Sequence, residues 1–183
     1  MNTARSAPRR VVTGVREGKS VFLSDGEMPN CHHYLGWPGF MTSVAWTTAA
    51  VPTIEPGDLA EAARPGCEVL PGPGETRLMF VRFPPDSVFA DPRFDAAVLD
   101  KEQAFHLNSL SRCFESEDPG MHRTASLDYD IVLENEIWLE LDDGETRHLA
   151  QGDVAIQRGT RHAWRNKSDK PTTMCFVLIG AQT

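Results

Sequence analysis

An all-β chain closing into one small barrel is the fold that the sequence predicts, and three observations carry it. From residue 121 onward, short apolar and β-branched runs (131–133, 137–141, 147–149, 154–157, 162–165 and 173–178) are separated by turn residues, the spacing of a sandwich or barrel. Asp142-Asp143-Gly144 divides two alternating runs, and Asp-Gly supplies the positive φ angles of a tight hairpin turn. No segment repeats at the roughly 20–50-residue period of an array, so a single barrel is expected.

The 183 residues suit one domain with a substantial core. A net charge of −8 argues against a nucleic-acid partner, which requires clustered positive charge. No apolar run nears the roughly 18 residues that cross a bilayer, and the basic start MNTARSAPRR lacks the apolar segment of a signal peptide. Cys31, Cys67, Cys113 and Cys175 form no C-x-x-C pair, so neither a disulfide framework nor a structural zinc is indicated, and Cys175 reads as a buried thiol. A cytoplasmic location is the expectation.

Three segments divide the chain: a disordered tail over 1–8, then strands, loop and helix over 9–110 that pack on the barrel, and the barrel core over 111–183. Runs 10–13 and 20–23, joined through Gly18, predict an N-terminal hairpin. The loop after it carries Tyr34, Trp37 and Phe40, aromatic rings that need something to cover. It either packs on the outside of the barrel or against a second subunit, or it forms a flap over the mouth with His32 or His33 facing a ligand. Residues 41–48 and 76–83 read as strands. The Pro- and Gly-rich stretch 51–75 reads as a long surface connection with a helical turn near 59–63. Asp91 as N-cap and Pro92 at the first helical position predict a helix to about Leu107, burying Phe94, Val98 and Phe105. His106, at its end, reads as a satisfied or solvent-facing residue.

The organising stretch lies between His122 and Asn166. His122 is followed by Thr124, Asp128 and Asn135, and Gly152 by Gly159, His162 and Asn166, the last three spaced Gly-x-x-His-x-x-x-Asn. Residues 118–180 thereby resemble the cupin superfamily. Thr124 stands where that family's first motif has a second histidine, Asp128 where it has a glutamate, and Asn135 where it has a closing glycine. The proline of the second motif is absent, with Gln157-Arg158 preceding Gly159. The resemblance implies a double-stranded β-helix (jelly-roll) barrel with a hairpin arm and one or two short helices, and pairing into a homodimer through an N-terminal strand, here 11–23.

Strand alternation then orients the site. If His162 points inward, so does Trp164, while Arg161, Ala163 and Arg165 point out; if Asp128 points inward, so does Asp130, while Tyr129 points out. The expected cavity holds His122, His162, Asp128, Asp130, Thr124 and Trp164. Two imidazoles and a carboxylate match the facial set that holds non-haem iron(II), and the resemblance implies a divalent metal (iron, manganese, zinc or nickel). His122, Asp128 and His162 are thus the expected catalytic residues and metal ligands, with Thr124, Asp130 and Trp164 lining the substrate pocket. With metal, the resemblance implies a dioxygenase, decarboxylase or isomerase acting on a small organic molecule. Without it, a histidine oriented by an aspartate serves as general base of an isomerase or cyclase. The remaining reading is a non-catalytic small-molecule binder.

Overall fold

The computed structural model describes residues 8–57 and 59–182; of the expected tail, residues 1–7 lie outside the described residues. Strands β1 (Arg10–Arg16) and β2 (Lys19–Gly26) form the N-terminal hairpin. Its turn uses positive φ at Glu17 and Gly18, which fits the handedness of a two-residue connection. The barrel consists of β3 (His32–His33), β4 (Met41–Thr48), β5 (Thr76–Phe83), β6 (Ser126–Glu134), β7 (Glu136–Glu140), β8 (Thr146–Ala150), β9 (Val154–Arg158), β10 (Ala163–Arg165) and β11 (Thr172–Gly180). Six of them make one antiparallel sheet, in the order β3-β4-β5-β11-β6-β9, and β10-β7-β8 make the other. β7 and β8 join through Asp142-Asp143-Gly144, with positive φ at Asp143 and Gly144 as the Asp-Gly pair requires.

The core fills the space between these two sheets. Val44, Met79, Val81, Val132, Met174, Phe176 and Leu178 from the large sheet meet Ile137 and Leu149 from the small one. Along β6 the alternation is regular: Ser126, Asp128, Asp130 and Val132 are buried while Tyr129 is exposed. Phe176 and Leu178 of β11 stand directly opposite Asp130 and Asp128. An apolar strand thus faces a strand carrying two carboxyl groups across the same wall.

The N-terminal half departs from the sequence reading at three places. β4 and β5 are wall strands of the large sheet, and the hairpin β1-β2 is a separate ribbon. The connection 51–75 forms no helical turn at 59–63, and it dips inward, with Ala63 and Val69 fully buried. Helix α1 spans Ala96–His106 and is capped by Asp95, whose carboxylate accepts from the amides of Ala97 and Val98. Asp91 instead binds Arg93 after a 3-10 turn over Asp86–Ala90. Leu99 is the residue that α1 buries, and Phe105 is exposed. A short helix, α2, follows at Asn108–Ser111.

The aromatic loop closes over the barrel and is strapped to α1. Glu102 accepts from the amides of Leu35 and Gly36 at 2.9 Å each and pairs with His32 Nε2 at 3.0 Å. Tyr34 and Phe40 are buried, and Trp37 stacks on Phe40. His33 is exposed and His32 stacks on His106, so neither faces the barrel interior. Gly36 permits this strap, because a Cβ there would lie 2.3 Å from Leu99 N and 2.7 Å from Asp95 O. Gly36→Ala is expected to lower stability by roughly 1–3 kcal/mol through overpacking, read from the midpoint of denaturant unfolding.

Candidate functional site

His122 and His162 face each other across an isolated antiparallel bridge and exchange both backbone hydrogen bonds, at 3.0 and 2.9 Å. Residues directly opposite in such a pair project to the same side, and the ring centroids lie 4.2 Å apart. Nδ1 of each ring contacts a backbone carbonyl two residues earlier, Gly120 for His122 and Thr160 for His162, both at 3.0 Å. A carbonyl only accepts, so the proton sits on Nδ1 and the lone pair on Nε2 is left free. Burial lowers the pKa of both rings. His162 goes down to about 4, through burial first and the neighbouring His122 second. At neutral pH the pair is two uncharged bases.

The two aspartates carry the opposite bias. Burial pushes Asp128 up to about 6, and pushes Asp130 up to about 7 with the charge of Asp128 adding to it. Gln157 Nε2 donates to Asp130 Oδ2 at 2.9 Å, Thr160 Oγ1 donates to Gln157 Oε1 at 3.0 Å, and the Thr160 carbonyl holds His162. A continuous path of residues therefore links the imidazole to the carboxyl. Asp128 Oδ1, Asp130 Oδ1 and Trp164 Nε1 are buried without a hydrogen-bond partner among the described residues, each at a cost of about 1–3 kcal/mol. Thr124 is buried with its hydroxyl accepting from Ser126 Oγ at 2.9 Å.

Aromatic rings wall this interior in an unbroken file. Phe114 packs on His122, His162 on Trp164, Trp164 on Phe176, Phe176 on Phe83, and Phe83 on Phe40 beneath the strap. Trp164 shares the inner side with His162, as alternation requires. Ala163, on the other side, is buried too, because the segment before His122 covers it. A separate cavity lies beside β4, lined by Asn30, Ser43, Cys67 and His106 among others. At about 10 Å³ it has room for one water.

No family model matches the chain. Over 63 residues it is 65% identical to the phomopsin biosynthesis cluster protein C' of Diaporthe leptostromiformis, a match covering 34% of this chain and 33% of that protein. The chain thus spans about a third of the length of this curated relative. The cupin-domain-containing oxidoreductase fogC of Aspergillus ruber is 29% identical over 170 residues, 89% of this chain and 67% of that one. That alignment covers nearly all of a chain whose strands form a double-sheet β-roll. The fold is that of the cupins. A cupin 2 conserved barrel domain protein from Salinispora arenicola superposes with a TM-score of 0.36 and 19% identity, over 58% of this chain and 64% of that one.

The cupin barrel brings the sequence-expected residues into its interior but does not join them as a three-ligand metal centre. Among the described residues, no group of three or more His, Cys, Asp or Glu side chains is placed to hold a metal ion. Asp128 lies along β6 beside Ser126 and Asp130, one methylene shorter than the family's glutamate, while the two imidazoles meet at the bridge before that strand. Thr124, in place of the family's second histidine, brings a neutral hydroxyl already engaged with Ser126. His122 and His162 thus stand as a ring-to-ring pair, and Asp128 and Asp130 share the buried side of β6. His106 lies outside the site against His32, and His148 is exposed, 2.7 Å from Glu136. Gln157, Phe176 and Phe114 were not among the expected site residues. The alternation of β9 around Ala155 was the signal for Gln157; Phe176 was hidden inside an apolar run.

Proposed function

We propose that this cupin binds a small, uncharged, carbonyl-bearing organic molecule and moves a proton on it, as an isomerase or cyclase of a biosynthetic intermediate. The observation that supports this best is the joint placement of neutral imidazoles with free Nε2 atoms and buried carboxyl groups whose pKa values are raised toward neutrality, bridged through Thr160 and Gln157. Groups whose surroundings push their pKa values in opposite senses divide into base and acid. An imidazole Nε2 takes a proton from the carbon next to the carbonyl while a carboxylic acid donates its proton to the carbonyl oxygen, giving the enol. The imidazolium then returns its proton to the far carbon of a conjugated enol while the enol hydroxyl gives its proton back to the carboxylate, which completes an isomerisation with no net change in atoms or electrons. Trp164 Nε1 supplies a further donor, and the aromatic wall suits a flat, unsaturated substrate. Several relatives carry names of biosynthetic clusters or of cupin-domain oxidoreductases, which agrees with a substrate from specialised metabolism.

Solvent deuterium exchange into neutral aryl ketones, followed by proton NMR, tests the reading. Catalysed exchange is expected with the parent and not with the His122→Ala/His162→Ala double variant. Equal exchange by both would sink the proposal. So would a divalent metal that co-purifies stoichiometrically with the parent and is absent from the double variant, because that assigns the pair to a ligand set.

Two copies of the chain are proposed to pair. Val11, Val15 and Phe22 project from the hairpin, and Tyr129, Val154 and Ile156 cluster on the outer side of β6 and β9, all exposed. Exposed apolar patches of this kind mark interfaces. Light scattering is expected to give a dimer for the parent and a monomer for Phe22→Asp. Among the described residues no helix is long and apolar enough to cross a membrane, and the four cysteines are free; a cytoplasmic setting is part of the same proposal.

A further inference from the structure

The segment between α2 and β6 delivers His122, yet it has no regular structure apart from its bridge to His162. Two backbone bonds close it on itself: Glu115 N to Met121 O at 2.9 Å and Met121 N to Asp118 O at 3.0 Å. On its inner side Met121 is buried and Phe114 packs on His122; on its outer side two arginines flanking His162 hold it. Arg161 binds Glu115 through two parallel bonds, both 2.7 Å, and reaches Asp118 and Asp142 at 3.0 Å each. Arg165 binds Glu140 at 2.5 Å and the carbonyl of Pro119 at 2.7 Å. Gly120, whose carbonyl sets the tautomer of His122, follows directly on Pro119.

We propose that Arg161 is a positioning residue, clamping loop 115–121 against β10 so that the ring of His122 lies over that of His162. The guanidinium neighbours His162 in sequence and grips the loop that carries His122, so one side chain references both rings to a single frame. Its fork meets the Glu115 carboxylate in a planar, two-bond geometry that lysine does not reproduce. The third carboxylate, Asp142, belongs to the β7–β8 turn, which ties the loop to the small sheet as well. Nothing in the sequence motif assigns Arg161 a part, because it projects away from the interior. The inference rests on the histidine-pair reading above for its consequence, but its geometry is measured without substrate.

The test uses the full chain with labelled histidine. In the parent, an inter-ring nuclear Overhauser contact between His122 and His162 and a 15N signature of Nδ1-protonated rings are expected. In Arg161→Ala the inter-ring contact is expected to disappear and His122 to become a mixture of tautomers, while the melting temperature falls by only roughly 2–4 °C, the shift that a partly exposed ion pair commands in a chain of this size. Arg161→Lys is expected to restore part of the contact. Arg147→Ala, which removes an exposed pairing with Glu145, is expected to change neither signal. An unaltered contact and tautomer in folded Arg161→Ala overturns the proposal, as does an equal loss in Arg147→Ala. Should Arg161→Ala fail to fold, Glu115→Gln carries the same comparison: weakened contact supports the clamp and unchanged contact overturns it. Ketone exchange that fails with intact ring geometry counts against the proton-transfer reading alone.

Discussion

Asp130→Asn is expected to melt well above the parent at pH 8, with the gain shrinking as the pH falls and vanishing near pH 4. Asp130 is fully buried and its carboxyl pKa is pushed up to about 7 by burial, with the charge of Asp128 adding. A carboxyl whose folded pKa is raised favours the folded state fully only below its unfolded pKa, near 3.8, and that contribution is lost as pH rises through 7. Above pH 7 the folded protein holds a buried charge that the unfolded chain would solvate. Asparagine keeps the shape and accepts the same bond from Gln157 without that charge, so the expected gain at pH 8 is roughly 2–4 kcal/mol. Thermal melts of both proteins across pH 4–8 check it; parallel curves would show that Asp130 is ionised throughout. The same variant removes the proposed acid, so stability and turnover are expected to move in opposite directions.

His162→Gln is expected to reduce proton exchange about 10²–10⁴-fold, the usual worth of a positioned general base, with circular dichroism unchanged. His162 also governs the acid side of the stability profile. Its folded pKa is lowered to about 4, so the parent loses stability as pH falls from about 6.5 to 4, where the unfolded chain takes up a proton that the folded state refuses. Glutamine does not titrate, and the variant should lose less stability over that window. Turnover in the parent is expected to be bell-shaped, falling below about pH 4–5 as the base charges and above about pH 7 as the acid ionises. A flat profile, or full exchange by the glutamine variant, would remove His162 from the chemistry.

Much of the fold was legible because β-structure writes itself as alternation and turn chemistry. Strands 41–48 and 76–83 appear at the expected residues, and Asp143-Gly144 makes its turn by the φ angles that suggested it. The helix start was misread because Asp91-Pro92 and Asp95 offer competing caps, and only tertiary packing chooses between them. The inward file of Asp128, Asp130, His162 and Trp164 followed from period-two parity. The distance between the carboxyl and imidazole pairs did not, because it depends on how far β6 runs past the bridge. The dip of Ala63 and Val69 into the core was invisible for a related reason: a loop rich in proline and glycine carries no period from which to read a buried side.

If the barrel takes a small molecule as proposed, the file of touching rings from Phe40 to Phe114 governs how it enters and leaves. Interiors packed this densely do not yield to a visiting molecule by small local adjustment, and the strap at Glu102 seals one end of the row. Entry therefore waits for part of the barrel to breathe, and such openings are rare in well-packed regions. Association with any ligand should be slow and steeply temperature-dependent, and a molecule once enclosed should leave at the same unhurried pace.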